Sequence, residues 1–118
     1  MRQPPLIGIV GPCASGKSTL INLLTGQGYH CRHIAQEHSY VQDMWKQLTN
    51  PDILVYLDVS YETTLIRKKL NWTPADFQIQ LDRLENARKS ADIIVATDSL
   101  SPAELAEIVT GQINSLII

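Results

Sequence analysis

The sequence predicts an α/β fold in which a parallel sheet of four strands lies between two layers of helices. Short apolar runs of strand length alternate with stretches of helical period along the whole chain. The runs at 6–10 and 53–57 are apolar throughout, which is typical of strands buried on both faces of a parallel sheet. A Gly-x-x-x-x-Gly-Lys-Ser motif fills Gly11–Ser18, between the first run and the first helical stretch.

Apolar spacing and breaking residues define the elements of the first half of the chain. A helix over 39–48 is indicated by residues at three- and four-residue spacings, namely Val41, Met44, Trp45 and Leu48. The first five elements are therefore predicted as a strand at 6–10, a helix at 17–25 ending at Gly26, a weaker strand at 29–35, the helix at 39–48 and a strand at 53–57.

Capping residues define the elements of the second half. Ser60 is a good cap for a helix over 61–70. Thr73 and Pro74 begin a helix that runs to about residue 89, and a strand follows at 92–96. Ser101 and Glu104 form the pattern of a capping box, which begins a last helix. That helix is expected to bury four apolar residues, namely Leu105, Ile108, Val109 and Ile113.

Composition excludes several classes of protein. The 118 residues, 44% hydrophobic and 19% charged, fit one globular domain over 1–118. Ten Lys+Arg against 12 Asp+Glu give a net charge of −2, so we expect no nucleic-acid partner. Cys13 and Cys31 cannot make a disulfide framework or a complete zinc site by themselves. No run is long enough for a membrane span and the start does not resemble a signal peptide, so a cytoplasmic location and no membrane partner are expected.

The motif at Gly11–Ser18 contains every part of a phosphate-binding loop. Its glycines allow a tight turn whose N–H groups point into one concavity, at the positive end of a helix dipole. We expect Lys17 to reach the β- and γ-phosphates, Ser18 to ligate Mg²⁺ and Thr19 to lie against the α-phosphate. The predicted nucleotide-binding residues are Gly11, Pro12, Cys13, Ala14, Ser15, Gly16, Lys17, Ser18 and Thr19.

In this strand–loop–helix setting the motif resembles the P-loop NTPase superfamily. The Asp-x-x-Gly and Asn-Lys-x-Asp patterns of GTPases are absent. Residues 51–60, followed by Thr64 and Arg67, resemble the fourth-strand region of nucleoside and nucleotide kinases, and residues 83–101 resemble the end of dephospho-coenzyme A kinase. The resemblance implies ATP and Mg²⁺ as ligands, with the base near residues 97–100.

The chain departs from those kinases after its first helix. Only residues 26–29 lie where the kinases have a long acceptor-binding segment. The second strand would therefore pair directly beside the first, in a sheet of order 2-1-3-4. Glu37 then falls where the family has a carboxylate, which makes it a candidate for water-mediated Mg²⁺ binding or general base work. The alternative is a solvated loop residue.

Other candidates have both a chemical and a structural interpretation. Asp58 ends a buried strand and could organise the metal or cap the next helix. Arg67 could neutralise the transferring phosphate, or lie on a solvent-facing helix surface, as could four further cations, namely Lys68, Lys69, Arg83 and Arg88. His38 could bind phosphate, act as a base or simply form a hydrogen bond.

The cysteine and aromatic residues also leave alternatives open. Cys13 lies inside the motif, where the helix dipole could make nucleotide binding redox-sensitive, or it could be an inert part of the loop. Trp45 is expected in the core, whereas Trp72 could stack on a ligand or pack in its turn. His30, Cys31 and His33 are interpreted as side chains of an edge strand.

Two functions follow from these expectations. One is a minimal Mg·ATP-dependent kinase that uses Lys17, Glu37 and Arg67 for catalysis and Ser18, Glu37 and Asp58 for the metal, with an unknown small molecule or partner group as acceptor. The other is a nucleotide-binding module without phosphotransfer. The apolar tail at 116–118 could dock on the sheet or on a second copy, so a homodimer stays open.

Overall fold

The computed structural model describes residues 4–68 and 71–117, and it contains one four-stranded parallel sheet of order β2-β1-β3-β4. This confirms the predicted fold class and strand order. The elements are β1 (Leu6–Val10), α1 (Lys17–Gly26), β2 (His30–His33), a 3-10 turn (Gln36–His38), α2 (Met44–Leu48), β3 (Ile53–Asp58), α3 (Tyr61–Lys68), α4 (Pro74–Ser90), β4 (Ile93–Ala96) and α5 (Pro102–Ile117).

The strand register brings all four carboxyl ends to the same edge of the sheet. Leu6 pairs with His30 on one side of β1, and Ile7 pairs with Ile53 on the other. Val55 in turn pairs with Ile93 of β4. Ligands of open parallel sheets bind beyond the carboxyl ends of the strands, so a binding site is expected at this edge.

Each face of the sheet has its own hydrophobic core. Because side chains of a strand alternate between faces, β3 sends Ile53, Val55 and Leu57 into a core that includes residues of α1 and α5. Its remaining apolar residues, Leu54 and Tyr56, enter a second core with residues of α2 and α4. The uninterrupted apolar run of this strand is therefore explained by burial on both sides.

The helix predicted over 39–48 is wrong in its first half. Gln36 is fully buried, and its amide Nε2 donates to the carbonyls of Val41 at 2.8 Å and Arg83 at 3.1 Å. Its Oε1 accepts a 2.9 Å hydrogen bond from the Trp45 N–H. These bonds hold residues 39–43 as turns, so the helix begins only at Met44, and Leu48 remains 77% exposed.

Two further differences concern the ends and faces of elements. The second strand is shorter than predicted and covers only His30–His33 at the edge of the sheet. Ile108 was predicted to be buried, but it is 38% exposed, because α5 covers the sheet with the narrower stripe of Leu105, Val109 and Ile113.

Several predictions touch residues that the structure leaves undescribed. Lys69 and Leu70 follow α3, and the tail residue Ile118 follows α5, so these predictions lie outside the described residues. Leu116 and Ile117 are about half exposed, at 53% and 50%. Within residues 4–68 and 71–117, every helix is too short or too polar to cross a membrane.

Candidate functional site

The glycine loop, defined as Gly11–Ser18, connects β1 to α1 through a backbone that needs small residues. A side chain at Gly11 would have its Cβ 2.6 Å from the Leu57 carbonyl oxygen and 2.7 Å from the Ser15 hydroxyl. Ala14 and Gly16 have left-handed backbones, with φ of 66° and 101°. The loop therefore packs against β3 and turns sharply into the helix, as the motif predicts.

The start of α1 lacks both a capping side chain and an acidic first turn in the described residues. Gly16 is its N-cap, and no side chain in the described parts of the chain caps the helix. The first turn contains no acidic residue. The first N–H groups of a helix have no partner inside it, and they share the positive end of the helix dipole. Ser18 and Thr19 are exposed beside them and offer two hydroxyl groups.

Lys17 folds back over the glycine loop instead of extending into solvent. Its Nζ donates to the carbonyl oxygens of Gly11 at 2.6 Å and Pro12 at 3.0 Å. The same nitrogen lies 2.8 Å from the Glu37 carboxylate, and the two side chains are only 6% and 3% exposed. The structure thus brings together two of the predicted catalytic residues as a buried ion pair.

Glu37 is placed by the 3-10 turn, which begins after the two residues that follow β2. Its carbonyl oxygen accepts a 3.3 Å hydrogen bond from Arg83, whose guanidinium lies 4.4 Å from the ring centre of Tyr40. Of its two carboxylate oxygens, Oε2 contacts Lys17, while Oε1 is buried without a hydrogen-bond partner among the described residues. A buried carboxylate oxygen without a partner is unfavourable, so this atom is suited to an incoming donor or cation.

A polar cavity of about 260 Å³ opens over this ion pair. Burial, and next the positive charge of Lys17, lower the pKa of the His33 imidazole there. Neutral imidazole is the form that accepts a hydrogen bond or binds a metal. The residues around the polar cavity are Cys13, Ala14, Gly16, Lys17, Ser18, Thr19, His33, Glu37, His38 and Lys68.

An apolar cavity, also of about 260 Å³, lies on the other side of the α1 start. It shares Gly16 and Thr19 with the polar cavity, so the two follow one another over the first turn of the helix. The remaining residues around it are Ser15, Leu20, Arg67, Thr97, Leu100, Ser101, Pro102 and Leu105. The predicted base-side loop at 97–100 is therefore close to the glycine loop.

Arg67 lies at the apolar cavity and not beside Glu37. Its guanidinium donates to the Ala14 carbonyl at 3.1 Å and to the Thr97 hydroxyl at 3.0 Å, and it also contacts the Thr97 carbonyl oxygen. The structure thus makes Arg67 a clamp between the glycine loop and the segment after β4.

Asp58 is not brought together with Ser18 and Glu37. It lies on the same face of β3 as Leu54 and Tyr56, so its side chain lies toward α4, where Arg88 contacts it at 3.1 Å. The Asp58 carbonyl accepts hydrogen bonds from the Thr97 N–H at 2.9 Å and hydroxyl at 3.0 Å. Burial, and next the charge of Asp58, raise the pKa of Tyr56 to about 12. The predicted third metal ligand therefore belongs to a separate ion pair.

No family model matches this chain, and no curated protein matches it.

Sequence reasoning missed Gln80, which holds the glycine loop from α4. Its Oε1 accepts a 2.9 Å hydrogen bond from the Cys13 N–H, and its Nε2 lies 3.1 Å from the Cys13 sulfur. The available signal was a polar residue four positions before Leu84, on the buried face of a helix.

Trp72 donates to the Thr64 hydroxyl at 3.0 Å and packs edge-on against Phe77, as expected for packing in its turn.

Proposed function

We propose that this chain is a P-loop protein that binds Mg·ATP on residues 11–19 and transfers the γ-phosphoryl group to a small-molecule or partner acceptor. The observation that carries the proposal is the buried pair of Lys17 and Glu37 at the uncapped start of α1. A lysine that is held over a glycine loop, next to free helix N–H groups, supports the binding of polyphosphate.

The proposed roles follow from the position of each group. Lys17 would exchange its contact with Glu37 for the β- and γ-phosphates, since its ammonium already lies over the loop carbonyls. Ser18 and Glu37 line the same cavity, so they are the proposed residues for Mg²⁺, directly and through water. Asp58 is paired with Arg88, so the proposed metal site consists of Ser18 and Glu37 without Asp58. Mg²⁺ would neutralise the charge that develops during phosphoryl transfer.

The apolar cavity is the proposed site for the nucleobase. It follows the polar cavity along the first turn of α1, so a ligand can place a flat apolar ring in one and a polyanion in the other. Three leucines provide apolar surface for a ring, namely Leu20, Leu100 and Leu105. Apolar surface exceeds polar surface in this cavity, and such a combination of apolar walls with polar groups is typical of small-molecule binding.

A second candidate function is nucleotide binding without phosphotransfer. Two observations favour it. Only Gln27, Gly28 and Tyr29 separate α1 from β2, which leaves no acceptor-binding segment there. The guanidinium of Arg67 is engaged by the glycine loop and by Thr97, so it would have to change partners before it could neutralise a transferring phosphate.

The test of nucleotide binding is a calorimetric titration of Mg·ATP into wild type and two lysine variants. Lys17→Met should lower affinity about a hundredfold, because charge-assisted hydrogen bonds to phosphate are lost, whereas Lys68→Met, at the rim of the same cavity, should change it at most about threefold. The double variant Lys17→Met/Glu37→Gln repeats the test without an unpaired buried carboxylate. Equal affinities in all four proteins, or no binding of ATP at millimolar concentration, would contradict the proposal.

Turnover separates the two candidate functions. ADP formation is measured with and without Mg²⁺ against a broad panel of hydroxyl, carboxyl and phosphate acceptors. Acceptor-dependent ADP formation that Glu37→Gln abolishes supports the kinase. Tight binding of Mg·ATP with no turnover on any acceptor supports the binding module.

A further inference from the structure

Three potential metal ligands meet at one side of the polar cavity. Cys13 comes from the glycine loop, while Glu37 and His38 come from the 3-10 turn after β2. One ligand atom from each of the three side chains lies within 4.8 Å of the others. The Cys13 sulfur is 3.9 Å from His38 Nε2, and that nitrogen is 4.0 Å from Glu37 Oε2.

These separations are close to those that a tetrahedral zinc ion requires. Zn–S bonds of about 2.3 Å and Zn–N or Zn–O bonds of about 2.0–2.2 Å imply ligand–ligand distances of about 3.4–3.6 Å. The separations of 3.9 and 4.0 Å exceed this by about 0.3–0.6 Å, and the third pair, Cys13 and Glu37, lies within 4.8 Å. His38 is an exposed residue, so rotation of its side chain can shorten both of its distances, whereas the pair of Cys13 and Glu37 has to approach through their own side chains.

The Glu37 carboxylate is an independent indication of a ligand. Its side chain is 3% exposed, and Oε1 has no hydrogen-bond partner among the residues described. Lys17 contacts Oε2, which is also the oxygen 4.0 Å from His38 Nε2, so a cation at this site would bind the open Oε1 or displace the ammonium group from Oε2. A buried acceptor that is left open in this way lowers the cost of placing a positive ion beside it.

Gln80 holds the cysteine in position for coordination. Its Nε2 lies 3.1 Å from the Cys13 sulfur and can donate to it, and its Oε1 accepts from the Cys13 N–H. Such outer hydrogen-bond partners fix the orientation of metal ligands.

We propose that Cys13, Glu37 and His38 form a Zn²⁺ site that controls access to the glycine loop. A thiolate and an imidazole favour zinc over Mg²⁺, which prefers oxygen ligands. On binding, the Cys13 thiol loses its proton to solvent and a zinc–sulfur bond forms, and a water completes the coordination. Bound zinc would occupy the carboxylate that the proposed function assigns to Mg²⁺. Zinc and Mg·ATP should therefore exclude one another, a consequence that rests on the proposed function, whereas the zinc site itself does not.

The site is tested without nucleotide by titrating the full chain with Co²⁺ and then displacing it with Zn²⁺. One equivalent of cobalt should produce a thiolate-to-cobalt charge-transfer band, which Zn²⁺ abolishes. The band should vanish in Cys13→Ser and persist in Cys31→Ala, the matched control. Zinc affinity should fall about tenfold or more in His38→Asn and stay unchanged in His30→Asn. Thermal unfolding of each variant verifies that it is folded. A missing band, or a band that persists in Cys13→Ser, overturns the proposal.

Exclusion is tested by measuring Mg·ATP affinity in the absence of zinc and at a free Zn²⁺ concentration fixed by a metal buffer. Zinc should weaken the apparent affinity of the wild type at least tenfold, and this ratio should approach one in His38→Asn. A cobalt band without any ATP binding retains the zinc site and removes the proposed function. ATP binding without a cobalt band retains the proposed function and removes the zinc site. Unchanged ATP affinity in zinc-loaded wild type contradicts the exclusion.

Discussion

The first N–H groups of α1 and α4, which have no partner inside their helices, are capped in one helix and left uncapped by the described side chains in the other. In α4 the Thr73 hydroxyl accepts from the Asp76 N–H, and the Asp76 carboxylate accepts from the Thr73 N–H, so the helix satisfies its own end. In α1 the N-cap is Gly16, with no capping side chain in the described chain and no acid in the first turn. The start of α1 is instead held by tertiary contacts, chiefly the Lys17–Glu37 pair.

This difference separates the parts of the fold that are stabilised locally from the part that is available for a ligand. The start of α5 resembles that of α4, since Ser101 and Glu104 exchange hydrogen bonds of 2.9 and 3.1 Å. A helix whose first N–H groups have no capping partner is less stable than one whose start is capped. In this chain that cost occurs at the one of these three helix starts that follows the glycine loop.

The largest effect is expected from breaking the tertiary support of α1. Lys17→Met should destabilise the fold by about 3–5 kcal/mol, because it leaves the Glu37 carboxylate buried without its partner. The measurement is urea unfolding followed by circular dichroism. Adding Glu37→Gln should recover more than half of the loss, since the buried charge is removed. If the double variant were as unstable as the single one, the ion pair would not be the main support of this end.

A smaller loss is expected where the glycine loop approaches β3. Gly11→Ala should cost about 1–3 kcal/mol, because its Cβ would lie 2.6 Å from the Leu57 carbonyl oxygen and the backbone would have to shift. Gly111→Ala in α5 is the matched control, since nothing lies within 4 Å of its Cβ position. That variant should gain about 0.5–1 kcal/mol from helix propensity. Losses of equal size in both variants would contradict the close approach.

Removing a local cap should cost less again. Thr73→Ala should destabilise the fold by about 1 kcal/mol, because the Asp76 N–H loses its acceptor. Ser18→Ala in the first turn of α1 should change the stability of the unliganded protein by less than about 0.5 kcal/mol, since the exposed hydroxyl does not cap its helix. Both are measured by denaturant unfolding. A clear loss in Ser18→Ala would contradict the contrast between the two helix starts.

The features that the sequence predicted are those that depend on neighbouring residues. The run from Ile53 to Leu57 and the capping residues Thr73 and Ser101 act locally, so the strands and these helix starts could be predicted. The strand order was predicted from the short connection between the first helix and the second strand. Glu37 could be located because it follows β2 at the ligand edge. Its burial could not, because Gln36 sets the turn through bonds to the nearby Val41 and to Arg83, which is distant along the chain.

The side chain at the end of β3 illustrates the same limit. The residue type and position of Asp58 suggested a metal ligand, and both were read correctly from the sequence. Its contact with Arg88 depends on two further features. The Asp58 side chain lies on the face of β3 that α4 covers, and α4 places Arg88 next to that face. The prediction that Ile108 is buried was wrong for a similar reason. The spacing of apolar residues indicates which face of a helix is buried, but it does not give the width of the buried stripe.

The smallest effect is a pH dependence at the start of α5. Hydrogen bonds from the N–H and hydroxyl of Ser101 lower the pKa of Glu104 below its ordinary value of 4.5. A carboxyl group with a depressed pKa in the folded state adds stability that is fully present above the unfolded value and is lost as the pH falls through the folded value. Glu104→Gln should therefore be less stable than wild type at pH 7, and the difference should shrink as the pH falls below 4.5. Glu107→Gln, one turn further along the same helix, controls for the loss of an exposed charge. Unfolding curves at a series of pH values measure both, and a difference for Glu104→Gln that stays constant into acid would contradict the capping role of the carboxylate.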